Sequence, residues 1–150
     1  MRTNKTTFEQ IKIYEGLKLK AYYCPAGVLT IGYGHTNDSK YPVYRNQKIT
    51  PEQAEQFLIH DVEEAEKIVE MAVKVPLNDN QFSALVCFVF NIGRLKGTTL
   101  LRKLNAGDYK GAAEEFKKWN KAVVIGVKKE LPGLVARRAF EYTMFLKGEK

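Results

Sequence analysis

Leu19-Lys20-Ala21-Tyr22-Tyr23-Cys24-Pro25-Ala26-Gly27-Val28-Leu29-Thr30-Ile31 is the stretch that decides the fold class. Its arms, Leu19–Tyr23 and Val28–Ile31, alternate and are rich in β-prone residues, and Cys24-Pro25-Ala26-Gly27 has the composition of a turn. The reading is a β-hairpin, with a third short strand expected near Tyr41 to Tyr44. Toward the N-terminus the period changes. Phe8, Ile11, Ile13 and Tyr14 give an apolar face to a helix predicted from about Thr7 to Glu15. Thr6 with Glu9, or Thr7 with Gln10, supplies a capping box, and Gly16 is a left-handed stop.

Beyond the hairpin every element reads as helical. Thr50-Pro51 opens a helix with Phe57, Val62, Ala65, Ile68, Val69 and Ala72 on one side, running to about Val73. Asn78 caps a helix from about Asp79 to Asn91 that is apolar nearly all round, as a central buried helix is. Helices are also predicted at about Thr99 to Asn105, Tyr109 to Trp119 and Leu134 to Leu146. The fold class is α+β: a small hairpin lobe, about residues 16–50, and a larger helical lobe, about 74–150 with the N-terminal helix at about 6–15. Residues 1–150 form a single domain on this reading, since repeats, low-complexity tracts and linkers are absent from the sequence. A cleft between two such lobes is a common place for a substrate.

The bulk composition narrows the partners. At 150 residues the chain is long enough to bury a core without staples. No stretch reaches the roughly 20 apolar residues that span a bilayer, and the start, Met1-Arg2-Thr3-Asn4-Lys5, lacks the apolar segment of a secretory signal. Synthesis in a cytoplasm, no stable membrane insertion and a monomeric state are the expectations. In that compartment Cys24 and Cys87 are expected as free thiols, with Cys87 a small core residue. An excess of Lys and Arg, 24 against 17 acidic residues, leaves a net charge of +7, which suits a polyanionic partner or a solubilising surface. Nucleic-acid motifs are missing, so no nucleic-acid partner is expected.

Glycoside hydrolysis needs a carboxylic acid that is still protonated near neutral pH, opposite a group that supplies or steadies a nucleophile. Glu15 ends a helix, where the dipole disfavours a second negative charge, but most glutamates at helix ends are simply solvated. A resemblance decides between these. Glu15-Gly16-Leu17-Lys18-Leu19-Lys20-Ala21-Tyr22, with Thr30-Ile31-Gly32-Tyr33-Gly34-His35-Thr36, closely resembles the active-site signature of phage lysozymes and endolysins, glycoside hydrolase family 24. Similarity continues through Ile49–Glu55, Asn80–Gly93 and Gly133–Arg138, covering nearly the whole chain.

The resemblance implies a lysozyme-like fold whose lobes are joined by a long helix, and a muramidase that uses no cofactor. It implies that Glu15 is the general acid and that Thr30 helps to hold the attacking water. His35 would pair with Asp61 across the lobes as a structural ion pair, not a metal site, and Arg137 would steady the catalytic carboxylate. Asn91 would face the cleft and hydrogen-bond substrate, or act as a helix cap, and Trp119 would anchor packing. Bacterial peptidoglycan is the implied partner, reached from the host cytoplasm through a separately made membrane pore.

One position departs from the pattern. Cys24 stands where the family usually has an aspartate, and a thiol titrates near 8.5 where a carboxylate titrates near 3.9. Three outcomes follow: Cys24 acts as base or nucleophile after nearby cations lower its pKa, Glu15 and Thr30 work at a reduced rate, or catalysis is lost. A lytic transglycosylase, which needs one acid, and a non-catalytic wall-binding protein are the rival readings.

Overall fold

The computed structural model describes residues 1–124, 127–130 and 132–147. The chain divides into two compact units, Glu9–Glu64 and Met1–Phe8 with Ala65–Lys150.

Pro25 and Gly27 shape the first unit. Pro25 presets φ for the turn, and Gly27, at φ +79°, takes the left-handed position that closes a three-residue hairpin loop. Gly27 N–H donates to the Cys24 carbonyl (2.8 Å) and Cys24 N–H to that of Val28 (2.9 Å). The strands so joined are β1 (Lys18–Tyr23) and β2 (Leu29–Gly32), paired Tyr22 to Thr30 and Tyr23 to Leu29. Two positive-φ glycines, Gly32 at +67° and Gly34 at +72°, then return the chain into β3 (His35–Thr36). The antiparallel order is β1-β2-β3.

The third strand is therefore His35–Thr36, not the expected Tyr41 to Tyr44. There the backbone is committed elsewhere. Tyr41 N–H donates to Asp38 Oδ1 (2.6 Å), Val43 N–H donates to Asn37 Oδ1 (2.9 Å), and Pro42 has no N–H to give. The outer edge of β1 is met by Gln47–Ile49 instead, through Ala21 N–H to Gln47 O and Ile49 N–H to Leu19 O, both 2.9 Å. Ile31, Val43, Ile49, Ala54 and Phe57 form this unit's core, with Ala21, Leu29, Tyr33 and Tyr41 against it.

Helix α2 (Pro51–Ala72) contributes residues to both units. Its start is a reciprocal capping box, Gln53 N–H to Thr50 Oγ1 (3.1 Å) and Thr50 N–H to Gln53 Oε1 (2.9 Å), with Pro51 first in the helix.

The helical unit is built round α3 (Asp79–Ile92), in which Gln81 through Val89 are all buried. Asn78 and Gln81 form its capping box, and Gly93, at φ +90°, ends it with an N–H bond to the Val89 carbonyl (2.7 Å). Aromatic rings bind the helices together. Phe88 meets Phe116 of α5 (Tyr109–Phe116) edge-on at 5.4 Å, and Phe116 meets Phe145 of α6 (Pro132–Leu146) at 5.5 Å. Each such ring contributes about 1.5–3 kcal/mol by leaving water. Between α3 and α5, α4 (Thr99–Asn105) seats the buried Leu100 and Leu104.

Three expectations change in this unit. Helix α1 (Lys5–Glu15) is capped by neither Thr6 nor Thr7: Asn4 Oδ1 accepts the Thr7 N–H at 2.9 Å, and Asn4 N–H bonds Ser83 Oγ on α3. A tertiary partner thus selects the cap. Helix α5 stops at Phe116, where the next N–H groups bond three residues back, including Trp119 to Phe116 O at 3.1 Å. After it the chain forms a second hairpin, β4 (Lys121–Val124) with β5 (Val127–Glu130), where only helix was expected. Val123, Val124 and Val127 favour an extended backbone.

Candidate active site

Glu15 is the last residue of α1, and Gly16, at φ +68°, turns the chain straight into β1. Its carboxyl lies against the backbone of the Gly32-Tyr33-Gly34 turn. A Cβ on Gly34 would stand 3.1 Å from Glu15 Cδ and closer still to Oε1, so any larger residue there would displace the carboxyl. Lys12, one turn before Glu15, fixes this end of α1 by bonding Glu55 on α2 and lying 5.7 Å from the Tyr33 ring centroid. The Glu55 hydrogen bond holds the Lys12 ammonium above its ordinary pKa, against the opposing effect of burial.

The hairpin carries Tyr22, Cys24 and Thr30 to the same region. Burial first, then the negative charges of Glu15 and of Cys24, push the Tyr22 hydroxyl above its ordinary pKa. Tyr22 is thus the electrostatic neighbour of both groups. Cys24 is a free, half-buried thiol. Its pKa is lowered, chiefly by the Val28 N–H aimed at the sulfur; desolvation opposes this, and the Ala26 N–H and the Thr30 hydroxyl reinforce it. The cause is hydrogen bonding in the turn, not the nearby cations expected from the sequence. Thr30, 4% exposed, has its hydroxyl 2.9 Å from the Val28 carbonyl and within hydrogen-bonding reach of Cys24, so its one proton serves either the carbonyl or the sulfur.

His35 buttresses the far side of the turn. It is 1% exposed, with Nδ1 2.7 Å from Asp61 Oδ2 and Nε2 2.7 Å from the Tyr41 carbonyl. Both neighbours are acceptors, so both ring nitrogens carry protons and the ring is charged. Burial alone would lower its pKa, but the hydrogen bonds to Asp61 and Tyr41 and the charges of Asp61 and Asp38 raise it above the ordinary value. The pair does not bridge the lobes as expected, because both residues belong to the Glu9–Glu64 unit. A second pair stands beside it, His60 Nε2 to Asp38 Oδ2 at 3.0 Å. His35, Asp38 and Asp61 each bring a potential ligand atom within 4.8 Å of the others, and a metal there would have to displace the proton that His35 gives to Asp61.

Asn91 and Arg137 belong to the helical unit. Arg137 is 9% exposed on α6, and Asn91 is half-buried near the end of α3, where its side-chain oxygen accepts from Arg138 at 3.0 Å. Trp119, past the end of α5, packs edge-on against Phe88 at 5.6 Å. Sequence reasoning gave no role to Lys12, His60 or Glu141, and named Gly34 and Arg138 only as members of quoted motifs. The one legible signal was that His60, the chain's only other histidine, directly precedes Asp61.

A helix ending on an acid beside a glycine turn of a three-stranded sheet, with four further helices and a two-stranded hairpin beyond α2 among the described residues, is the α+β architecture of a lysozyme. The phage lysozyme family matches residues 12–141, and the chain belongs to that family. It is 50% identical over 137 residues to the endolysin of Acyrthosiphon pisum secondary endosymbiont phage 1, covering 90% of this chain and 91% of that one. Among solved structures, the endolysin from Escherichia coli O157:H7 phage FAHEc1 superposes with a TM-score of 0.87 at 41% identity, covering 98% and 94% of the two chains. The muramidase domain of SpmX from Asticaccaulis excentricus superposes with a TM-score of 0.85 at 34% identity, covering 97% and 98%.

Proposed function

We propose that this protein is an endolysin that hydrolyses the β-1,4 bond between N-acetylmuramic acid and N-acetylglucosamine in bacterial peptidoglycan, with Glu15 as general acid. The observation that carries the reading is the clustering of Glu15, Tyr22 and Cys24 by charge, with Thr30 hydrogen-bonded to Cys24 and the Glu15 carboxyl set against Gly34. A carboxyl held there can give its proton to the glycosidic oxygen as the bond breaks.

Across the bond, Thr30 and Cys24 offer two routes. With its own proton bound to Val28, the Thr30 oxygen accepts a hydrogen bond from an attacking water and holds it in place; the water's proton passes to a Cys24 thiolate or to solvent as it attacks, and inversion of the anomeric carbon follows. A Cys24 thiolate, favoured by the turn N–H groups, would instead attack the sugar and give retention. The net charge of +7 suits an anionic wall polymer. Synthesis in the host cytoplasm, release through a membrane pore and action as a monomer complete the proposal. Among the described residues, no helix is long and apolar enough to cross a membrane.

Clearing of a peptidoglycan suspension by the wild type and not by Glu15→Gln tests the acid. Full clearing by the variant would refute its role, and no clearing by the wild type would favour a wall-binding protein. Cys24→Asp should preserve or increase clearing. The thiol in place of a carboxylate favours one rival, a lytic transglycosylase, whose product lacks one water. Mass and anomeric configuration of the released sugars separate the three chemistries.

A further inference from the structure

Both histidines of the chain and two aspartates meet where residues 35–41 lie against α2, all within the Glu9–Glu64 unit. The sequence expectation concerned His35 and Asp61 alone; the structure adds His60 and Asp38 to them. His60 and Asp61 are consecutive on α2, and each reaches a partner on the other segment. Asp61 Oδ2 lies 2.7 Å from His35 Nδ1, and His60 Nε2 lies 3.0 Å from Asp38 Oδ2. The two pairs adjoin, since one ligand atom from each of His35, Asp38 and Asp61 falls within 4.8 Å of the others.

These side chains are also held from behind. Asp38 Oδ1 already accepts the N–H groups of Lys40 (3.0 Å) and Tyr41 (2.6 Å), which leaves Oδ2 for His60. His35 Nε2 donates to the Tyr41 carbonyl at 2.7 Å, so Nδ1 is the nitrogen turned to the carboxylates. The Tyr41 ring stands edge-on to His60 at 5.3 Å, and the Phe57 ring lies 4.9 Å from His35. An imidazole whose second N–H meets a carbonyl, and a carboxylate whose second oxygen is hydrogen-bonded, form the outer shell that orients metal ligands.

The spacing suits a small divalent ion. Ligands 2.0–2.1 Å from a tetrahedral centre stand about 3.3 Å apart. The two bonded pairs would open by about 0.3–0.6 Å to admit the ion, and the widest separation would close by about 1.5 Å. Asp38 and Asp61 are 34% and 20% exposed at their side chains, which leaves them room to adjust. We infer that His35 Nδ1, Asp38, His60 Nε2 and Asp61 form a structural site for a divalent ion of the zinc class, clamping residues 35–41 to α2. Four protein ligands close the coordination shell, so the ion holds structure and activates no water. The ion replaces the protons that the two imidazoles direct at the carboxylates, and these leave for solvent or, on His60, for Nδ1. Two carboxylates then balance its two positive charges.

The test titrates Zn2+ into chelator-treated wild type, Cys24→Ser, His60→Gln and Asp38→Asn, in competition with a chromogenic chelator. Wild type and Cys24→Ser should each bind one equivalent with the same affinity. His60→Gln and Asp38→Asn should each bind at least about tenfold more weakly. Unweakened binding in those two variants, loss of binding in Cys24→Ser, or no binding by wild type at millimolar Zn2+ would overturn the site. Nitrogen NMR of the wild-type imidazoles decides if a variant fails to fold. On saturation with Zn2+, His35 should lose its Nδ1 proton and keep the Nε2 proton bonded to Tyr41; a persistent Nδ1–H refutes the inference. Neither readout involves peptidoglycan cleavage, so the outcome leaves the Glu15 assignment untouched.

Discussion

Replacing Gly34 by alanine separates two costs that the structure places at one residue. Gly34 has φ +72°, and an L-residue there costs about 1–2 kcal/mol. Gly107, at φ +86°, carries the same backbone penalty, but a Cβ there meets nothing within 4 Å. Gly107→Ala therefore measures strain alone. At Gly34 the new methyl would lie 3.1 Å from Glu15 Cδ and nearer to Oε1. Restoring ordinary contact, roughly 3.5–4.0 Å, moves the carboxyl by about 1 Å. The Glu15 side chain, at a helix end, yields more readily than backbone, so the displacement falls on the acid. A catalytic group misplaced by about 1 Å loses about 100-fold in rate. Urea unfolding should show both variants destabilised by about 1–2 kcal/mol and still folded. Clearing of peptidoglycan should fall about 100-fold in Gly34→Ala and stay near wild type in Gly107→Ala. Equal clearing by the two variants would refute the claim that the turn sets the acid's position.

Three further outcomes follow from the buried polar groups and caps. His35 has its pKa raised, so its contribution is complete below about pH 6.5 and is lost as pH rises through the folded value; Asp61→Asn should lower stability by about 1.5–3 kcal/mol at pH 5 and by less at pH 9, by urea unfolding. Burial pushes Glu141 up to about 7 against the pull of Arg138, so stability should fall as pH rises from about 4.3 through 7. Glu141→Gln should flatten that decline, and parallel curves for the two proteins would count against the assignment. Asn78→Ala removes the acceptor of the Gln81 N–H and should lower the unfolding free energy by about 1 kcal/mol, leaving clearing unchanged at temperatures where the protein stays folded.

Features decided within a few residues were legible in the sequence. The Thr50 and Asn78 caps, the glycine stop after α1, and the hairpin loop at Pro25 and Gly27 depend on φ preferences and on side chains reaching their own backbone. The candidate roles of Glu15, Cys24 and Thr30 were legible only through the resemblance of their motif to phage lysozymes, while the hairpin that gathers Cys24 and Thr30 is itself local. What escaped depends on partners far along the chain, or on side chains a few residues away that compete for the same backbone N–H groups. Asn4 caps α1 while bonding Ser83, and Asp38 and Asn37 take the N–H groups that Tyr41 and Val43 would have given a strand. The second hairpin has strands of four residues each, too short for alternation to stand out among lysines.

The candidate site divides in the same way. The order of residues named the acid, the thiol and the threonine, because a motif records chemistry at fixed spacing. Only the tertiary structure showed that Gly34 leaves room for the acid and nothing more, that turn N–H groups and not cations lower the Cys24 pKa, and that Arg138 and Glu141 bury a charge pair behind Asn91. Charges and close contacts act through space over a few ångströms. Side chains 47 residues apart meet there only after the core has folded.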